Sequence, residues 1–397
     1  MADMVSSNSR FSEPAAGTPS RHAANGGSPV AAPAGRPVHG GIRPADLRAL
    51  GLRPEDVLDF SASISPLGPP QGVWEAMRRV DLTAYPDPSC LELREALARH
   101  LISQSPFLAA RGELPLEQIL AGNGSTELIH LLAREFLAGR PGRQALLLSP
   151  TYGEYAGACA LADAPVKTLA ARRSEGFRWD LAEAAAAITA QRPGLVFLCN
   201  PNNPTGVFLP QDYVAALAEI TSKSGGILVV DEAYLGFVEQ SWDTLSLLTW
   251  DNVVLLRSMT KDYALTSLRL GYLLADAGVA ARLAALQPDW SVNGLAQAAG
   301  LAALADKAYL SQARQAVSQA REYLASGFSQ AGFPVFPSAA NFLLVQVGDA
   351  VAWRQKLMRR GLFVRDCTSF GLPDCIRVGI RPLADCQRLV AALEARG

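Results

Sequence analysis

Cysteine and histidine are scarce in this chain, with six of the first and four of the second among 397 residues. Cys90, Cys159, Cys199, Cys367, Cys375 and Cys386 are scattered, and no two form a Cys-x-x-Cys pair. That usage suits neither a zinc site nor a disulfide framework, so no metal is expected. An excess of one charge is missing as well. With 36 Lys+Arg against 37 Asp+Glu the net charge is −1, and without a long basic run there is no built-in affinity for nucleic-acid phosphates. Apolar stretches such as 227–230 and 253–256 are strand-sized, far below the roughly 20 residues that cross a bilayer. These absences leave a soluble, cytoplasmic protein with no membrane or nucleic-acid partner as the expectation. What is present, 49% hydrophobic and 18% charged residues, is a globular composition with room for two large cores.

Residues 1–38 are rich in Ser, Ala, Pro and Gly and carry neither a helical nor a strand period, so they read as a disordered tail. From His39 onward short apolar runs alternate with amphipathic stretches. Strands are predicted at 144–149, 195–199, 226–231 and 253–257, and helices at 126–137, 181–190 and 211–223. Unbroken apolar strands separated by helices imply an α/β fold, a mainly parallel central sheet flanked by helices. Several of these strands end on polar residues, where open α/β sheets hold their ligands. Beyond Leu274 the pattern becomes long alanine-rich helix, 280–286 and 294–330, then strands at 341–347, 362–365 and 375–378 and a helix at 385–395. The expected division is an N-terminal arm and part of a small domain over 39–75, a large domain over 76–290 and a small α+β domain over 291–397.

Four elements carry chemistry. Lys261 follows an apolar strand and a short turn, with Ser258 three residues before it and Arg269 eight after. It reads either as a solvated surface lysine or as a desolvated Schiff-base lysine beside an anion site. The loop 200–206, Asn-Pro-Asn-Asn-Pro-Thr-Gly, is ordinary loop composition, but its two X-Pro steps stiffen the backbone around Asn203. Asp231 and Tyr234 stand at the end of the apolar run 227–230, where an unpaired carboxylate is costly and a cation is the natural partner. Gly124, Ser125 and Thr126 open a helix, an arrangement that serves as an N-cap or as a phosphate cradle.

One ligand satisfies all four elements: a phosphate, a ring cation, a phenolate oxygen and an aldehyde, the four groups of pyridoxal 5′-phosphate. The set, in this order, resembles the fold-type I pyridoxal-phosphate enzymes of the aminotransferase class I/II superfamily over roughly residues 39–397. The resemblance implies that Lys261 is the Schiff-base lysine and proton shuttle, that Asp231 pairs with the ring nitrogen, and that Asn203 and Tyr234 hydrogen-bond the ring oxygen. It also implies that Tyr152 stacks on the ring, that Gly124, Ser125, Thr126, Ser258 and Arg269 hold the phosphate, and that Tyr85 reaches the phosphate of a neighbouring subunit in a homodimer.

Arg377 matches the superfamily's carboxylate-gripping arginine, with Arg365 upstream as a second substrate contact, and His39 is a third candidate. Two arginines suit a small-molecule amino acid that carries a second anion, such as a phosphate ester. Within the superfamily, His39-Gly-Gly41, Asp59-Phe-Ser-Ala-Ser-Ile-Ser-Pro-Leu-Gly68, Tyr85-Pro-Asp87 and Leu256-Arg-Ser-Met-Thr-Lys261 are similar to the threonine-phosphate decarboxylases of cobalamin biosynthesis. Histidinol-phosphate aminotransferases come next. Ser63 and Ser65 stand where the decarboxylase pattern has asparagines. The implied activity is a PLP-dependent lyase that decarboxylates threonine phosphate, with aminotransfer as the alternative. A catalytically silent binding protein of this fold would be expected to lack Lys261 or Asp231, and both are present.

Overall fold

The structure, a computed structural model, describes residues 40–394; the expected tail 1–38 and His39 lie outside the described residues. Its frame is a seven-stranded sheet in the order Ile119–Asn123, Leu270–Leu274, Val253–Ser258, Ile227–Asp231, Leu195–Cys199, Ala145–Ser149 and Val166–Ala170. Leu270–Leu274 runs antiparallel to both its neighbours, and every other pair is parallel. The mainly parallel sheet flanked by helices is therefore present.

Side-chain alternation explains why these strands read as continuous apolar runs. Leu228, Val230 and Leu255 enter an apolar cluster on one face with Leu217 and Ile188 from helices Gln211–Lys223 and Leu181–Gln191. Val229, Val254 and Leu256 enter a second cluster on the other face with Leu128, Leu132 and Phe136 from helix Gly124–Phe136. Each such buried side chain contributes about 1.5–3 kcal/mol against exposure, so a polar residue inside a strand would be excluded until its end. Asp180 caps helix Leu181–Gln191 by accepting from the Glu183 N–H at 2.9 Å.

The expected helix 294–330 is two helices, Gly294–Ala305 and Tyr309–Gln330. Asp306 breaks it: its carboxylate accepts from the backbone N–H groups of Ala308 and Tyr309, at 3.2 and 3.1 Å, and so starts a new helix. The expected strand 362–365 also divides. Leu362–Phe363 pairs in parallel with Leu58–Asp59, whereas Arg365–Asp366 joins an antiparallel sheet ordered Arg365–Asp366, Cys375–Gly379, Phe342–Gln346 and Val335–Phe336. That register sets Arg365 directly opposite Arg377. Among the described residues no helix is long and apolar enough to cross a membrane.

Candidate active site

The carboxyl ends of the parallel strands and the neighbouring loops enclose a cavity of about 590 Å³. Its wall includes Ser125, Thr126, Tyr152, Asn203, Asp231, Tyr234, Ser258, Lys261, Arg269, Arg365 and Arg377. Eleven residues singled out from sequence thus converge on one space. Gly124 adjoins it without lining it: with φ at +72°, it leaves room for Arg269, whose Nη2 would lie 2.8 Å from an added Cβ. Tyr85 is elsewhere. It is 80% exposed and stacks on Trp290 with ring centroids 4.6 Å apart.

At one end of the cavity the first turn of helix Gly124–Phe136 presents its N–H groups without a side-chain cap. The Ser258 and Thr260 hydroxyls, 2.6 Å apart, and the Arg269 guanidinium complete a cradle of donors for an anion. At the other side, Asp231 accepts from the Tyr155 hydroxyl at 2.8 Å and from the Ala233 N–H at 3.0 Å. Burial raises its pKa to about 6 against the effect of those two bonds, while the Glu232 charge adds to the rise and Lys261 opposes it. Lys261 is brought down to about 8 by burial and by the Arg377 and Arg269 charges, with Asp231 opposing. A substantial fraction of its amine is therefore neutral at neutral to mildly alkaline pH.

Arg377 is buried and donates from Nη1 to Asn203 Oδ1 at 2.5 Å and from Nη2 to the Ser61 carbonyl at 2.8 Å; its Nε is buried without a partner. Arg365 donates to the Ser369 hydroxyl at 2.6 Å and lies over the Phe370 ring, and burial lowers its pKa. Asp366 Oδ2 lies 3.8 Å from Arg365 Nη1 and partly offsets the Arg377 charge, and an anion between the two guanidiniums would relieve their remaining repulsion.

A model of the family described as aminotransferase class I and II matches residues 55–393. The chain belongs to that family. The histidinol-phosphate aminotransferase of Symbiobacterium thermophilum is 37% identical over 353 residues, which cover 88% of this chain and 92% of that protein. The threonine-phosphate decarboxylase of Salmonella typhimurium is 34% identical over 369 residues, covering 90% and 95%. A crystal structure of histidinol-phosphate aminotransferase from Sinorhizobium meliloti in complex with pyridoxal-5′-phosphate matches with a TM-score of 0.79 and 28% identity, over 89% of this chain and 94% of that one.

As a class I and II aminotransferase family member, the protein is a pyridoxal 5′-phosphate enzyme acting on amino acid substrates. The cavity fits that cofactor. It offers a cradle of anion donors at one end, a buried carboxylate for a ring N–H, a tyrosine for the ring face and a lysine whose amine is partly neutral. Sequence reasoning missed Tyr155, Thr260, Cys199 and Glu154. Cys199, Glu154 and Thr260 line the cavity, and Tyr155 holds Asp231 from behind. Glu154 is buried and paired with His130 Nε2 at 3.1 Å. For Tyr155 there was a signal: it lies three residues after Tyr152, and a buried phenol requires a hydrogen-bond partner.

Proposed function

We propose that the protein decarboxylates L-threonine O-3-phosphate to (R)-1-amino-2-propanol O-2-phosphate and CO2, a cobalamin side-chain precursor. The observation that carries this reading is the register pairing of buried Arg365 and Arg377 on one wall of the cavity. The cofactor's phosphate has its own donors in Ser125, Thr126, Ser258, Thr260 and Arg269, so this arginine pair serves the substrate. A substrate with both a carboxylate and a phosphate ester places one anion on each.

The cofactor, when bound, withdraws electrons from the substrate Cα. Asp231, ionised above about pH 6, accepts the ring N–H and keeps that nitrogen protonated. Asn203, whose Oδ1 accepts from Arg377, would offer its amide N–H2 to the ring oxygen, and Tyr234 would offer its hydroxyl. Burial pushes the Tyr234 phenol up to about 12, so it remains a donor across the neutral range. Tyr152, on the cavity wall, would cover the ring face. Arg377 takes the substrate carboxylate on its unpartnered Nε edge, and the direction in which it holds that group decides which bond to Cα is weakened. Lys261 delivers the proton that replaces CO2 at Cα. Tyr85, exposed on the surface, is assigned to the cofactor phosphate of a second copy in a homodimer.

The identity to a histidinol-phosphate aminotransferase favours a second reading, amino transfer from histidinol phosphate or a related amino acid. Steady-state kinetics of the holoenzyme with threonine phosphate, threonine and histidinol phosphate separates them. On the first reading, removing the phosphate ester lowers kcat/KM by about a hundredfold or more, as expected when a buried arginine loses its anion. Equal rates for threonine and its phosphate would remove the two-anion argument. Turnover of histidinol phosphate with 2-oxoglutarate in preference to either would establish the second reading.

A further inference from the structure

The strand Ile227–Asp231 is followed at once by a second carboxylate, Glu232, and alternation sends the two to opposite faces of the sheet. Asp231 faces the active-site cavity with Cys199 and Ser258. Glu232 lines a separate cavity of about 280 Å³ on the far face, together with Arg257, Asp262 and Tyr272. The Glu232 side chain is completely buried. Its Oε2 accepts from Arg257 Nε at 2.9 Å, its Oε1 has no partner, and Arg257 is itself fixed by a 3.0 Å bond to the Thr244 hydroxyl. Register keeps this arrangement rigid: the Glu232 N–H donates to the Leu256 carbonyl at 2.8 Å, which places Arg257 alongside.

Two facts make this pair more than a packing device. Three rear residues adjoin front ones in sequence: Glu232 follows Asp231, Arg257 precedes Ser258, and Asp262 follows Lys261. Arg257 also faces a second, half-buried carboxylate, since it opposes the rise that burial imposes on Asp262, to about 7, as well as holding Glu232. A buried carboxylate without its cation would either take up a proton or repel its nearest like charge.

We propose that Arg257 is a positioning residue that keeps Asp231 ionised: by holding the Glu232 charge on the far face of the sheet, it stops that charge from driving a proton onto Asp231. The proposal rests on the assignment of Asp231 to the cofactor's ring nitrogen. Among the described residues, the titratable groups that interact with Asp231 are Tyr152, Tyr155, Cys199, Tyr234, Glu232 and Lys261. Burial pushes the three phenols and the thiol upward, so they stay neutral where Asp231 titrates. Lys261, at about 8, stays charged through the same range in the apoprotein. Glu232 is then the one of the six whose negative charge opposes ionisation of Asp231, and Arg257 is its counter-charge.

The test is the pH dependence of pyridoxal 5′-phosphate affinity for the apoprotein, read by quenching of intrinsic fluorescence, in wild type, Arg257→Met, Glu232→Gln, the double variant and Asp231→Asn. Wild-type affinity weakens as pH falls through about 6. Arg257→Met moves that acid limb up by about one pH unit, the scale of an unscreened like charge nearby. Glu232→Gln, which leaves the cation alone, moves it down, and the double variant returns it to near the wild-type position. Should Arg257→Met fail to fold, the opposite-signed shift in Glu232→Gln and its reversal in the double variant still decide the matter. Single variants that shift the limb in the same direction, or not at all, while Asp231→Asn abolishes it, would overturn the proposal. An unchanged limb in Asp231→Asn would overturn the ring-nitrogen assignment and the proposal with it.

Discussion

Arg377 Nη1 donates to Asn203 Oδ1 at 2.5 Å, so the arginine assigned to the substrate carboxylate also orients the amide assigned to the cofactor's ring oxygen. On those assignments, substrate recognition and cofactor electronics share one hydrogen bond. Replacing Arg377 by Lys keeps the charge but loses the planar fork, so both functions should suffer. KM for the amino acid substrate rises about tenfold to a hundredfold, the scale of a lost hydrogen bond to a charged group. Cofactor affinity weakens in the same variant, which parallel kinetics and cofactor titration would record. A raised KM with unaltered cofactor affinity would show that the Asn203 contact is idle.

Lys261 offers a test in the apoprotein. Its amine is held at about 8 by burial first and by Arg377 and Arg269 after it. Competitive labelling with an amine-reactive reagent, mapped to the Lys261 peptide, should show reactivity rising through a midpoint near pH 8. Because a neighbouring cation lowers a lysine, Arg377→Met must move the Lys261 midpoint upward.

Much of this site was legible in the sequence for a physical reason. A continuous apolar run that stops on a charged or hydroxyl residue marks the end of a buried strand, as at Asp231 and Ser258. Gly124, Ser125 and Thr126 at a helix start, and Lys261 after its turn, carry their chemistry in local order. What escaped depends on register. Tyr155 reaching Asp231, Arg257 reaching Glu232 and Arg365 standing opposite Arg377 each need the sheet to be assembled before the partner is known. The break at Asp306 was hidden because the alanine-rich period continues on both sides of it, and only the capping bonds to Ala308 and Tyr309 reveal two helices.

Tyr155→Phe isolates the support behind Asp231. The lost hydroxyl leaves Asp231 Oδ2 without its 2.8 Å donor, and that bond lowers the carboxylate's pKa. The pKa therefore rises above about 6, and cofactor binding weakens at a higher pH than in wild type. The sign follows from the charged form being the one that binds: affinity is present above the pKa and lost as pH falls through it. The same titration of the apoprotein reads it, and a limb that moves down or stays fixed would contradict the role given to Tyr155.

Gly206 closes the Asn-Pro-Thr-Gly loop with φ at +75°, and an added Cβ would meet Ser338 Oγ at 2.1 Å and Ser338 Cα at 2.8 Å. Backbone cannot rotate aside as a side chain can. Gly206→Ala should therefore cost about 1–3 kcal/mol of stability through strain, read from the urea midpoint of the apoprotein. It should also loosen Asn203, visible as weaker cofactor binding. Wild-type stability in this variant would mean that the loop and Ser338 separate freely.

The proposed reaction of this cavity is removal of CO2 from a doubly anionic amino acid. The direct measurement is release of labelled CO2 from carboxyl-labelled L-threonine O-3-phosphate by the holoenzyme, with 2-oxoglutarate present and glutamate assayed in parallel. The expected result is one CO2 for each aminopropanol phosphate formed, no glutamate, and loss of the reaction in Lys261→Ala. Glutamate accumulating in step with substrate loss, with the label retained in a keto acid, would contradict it.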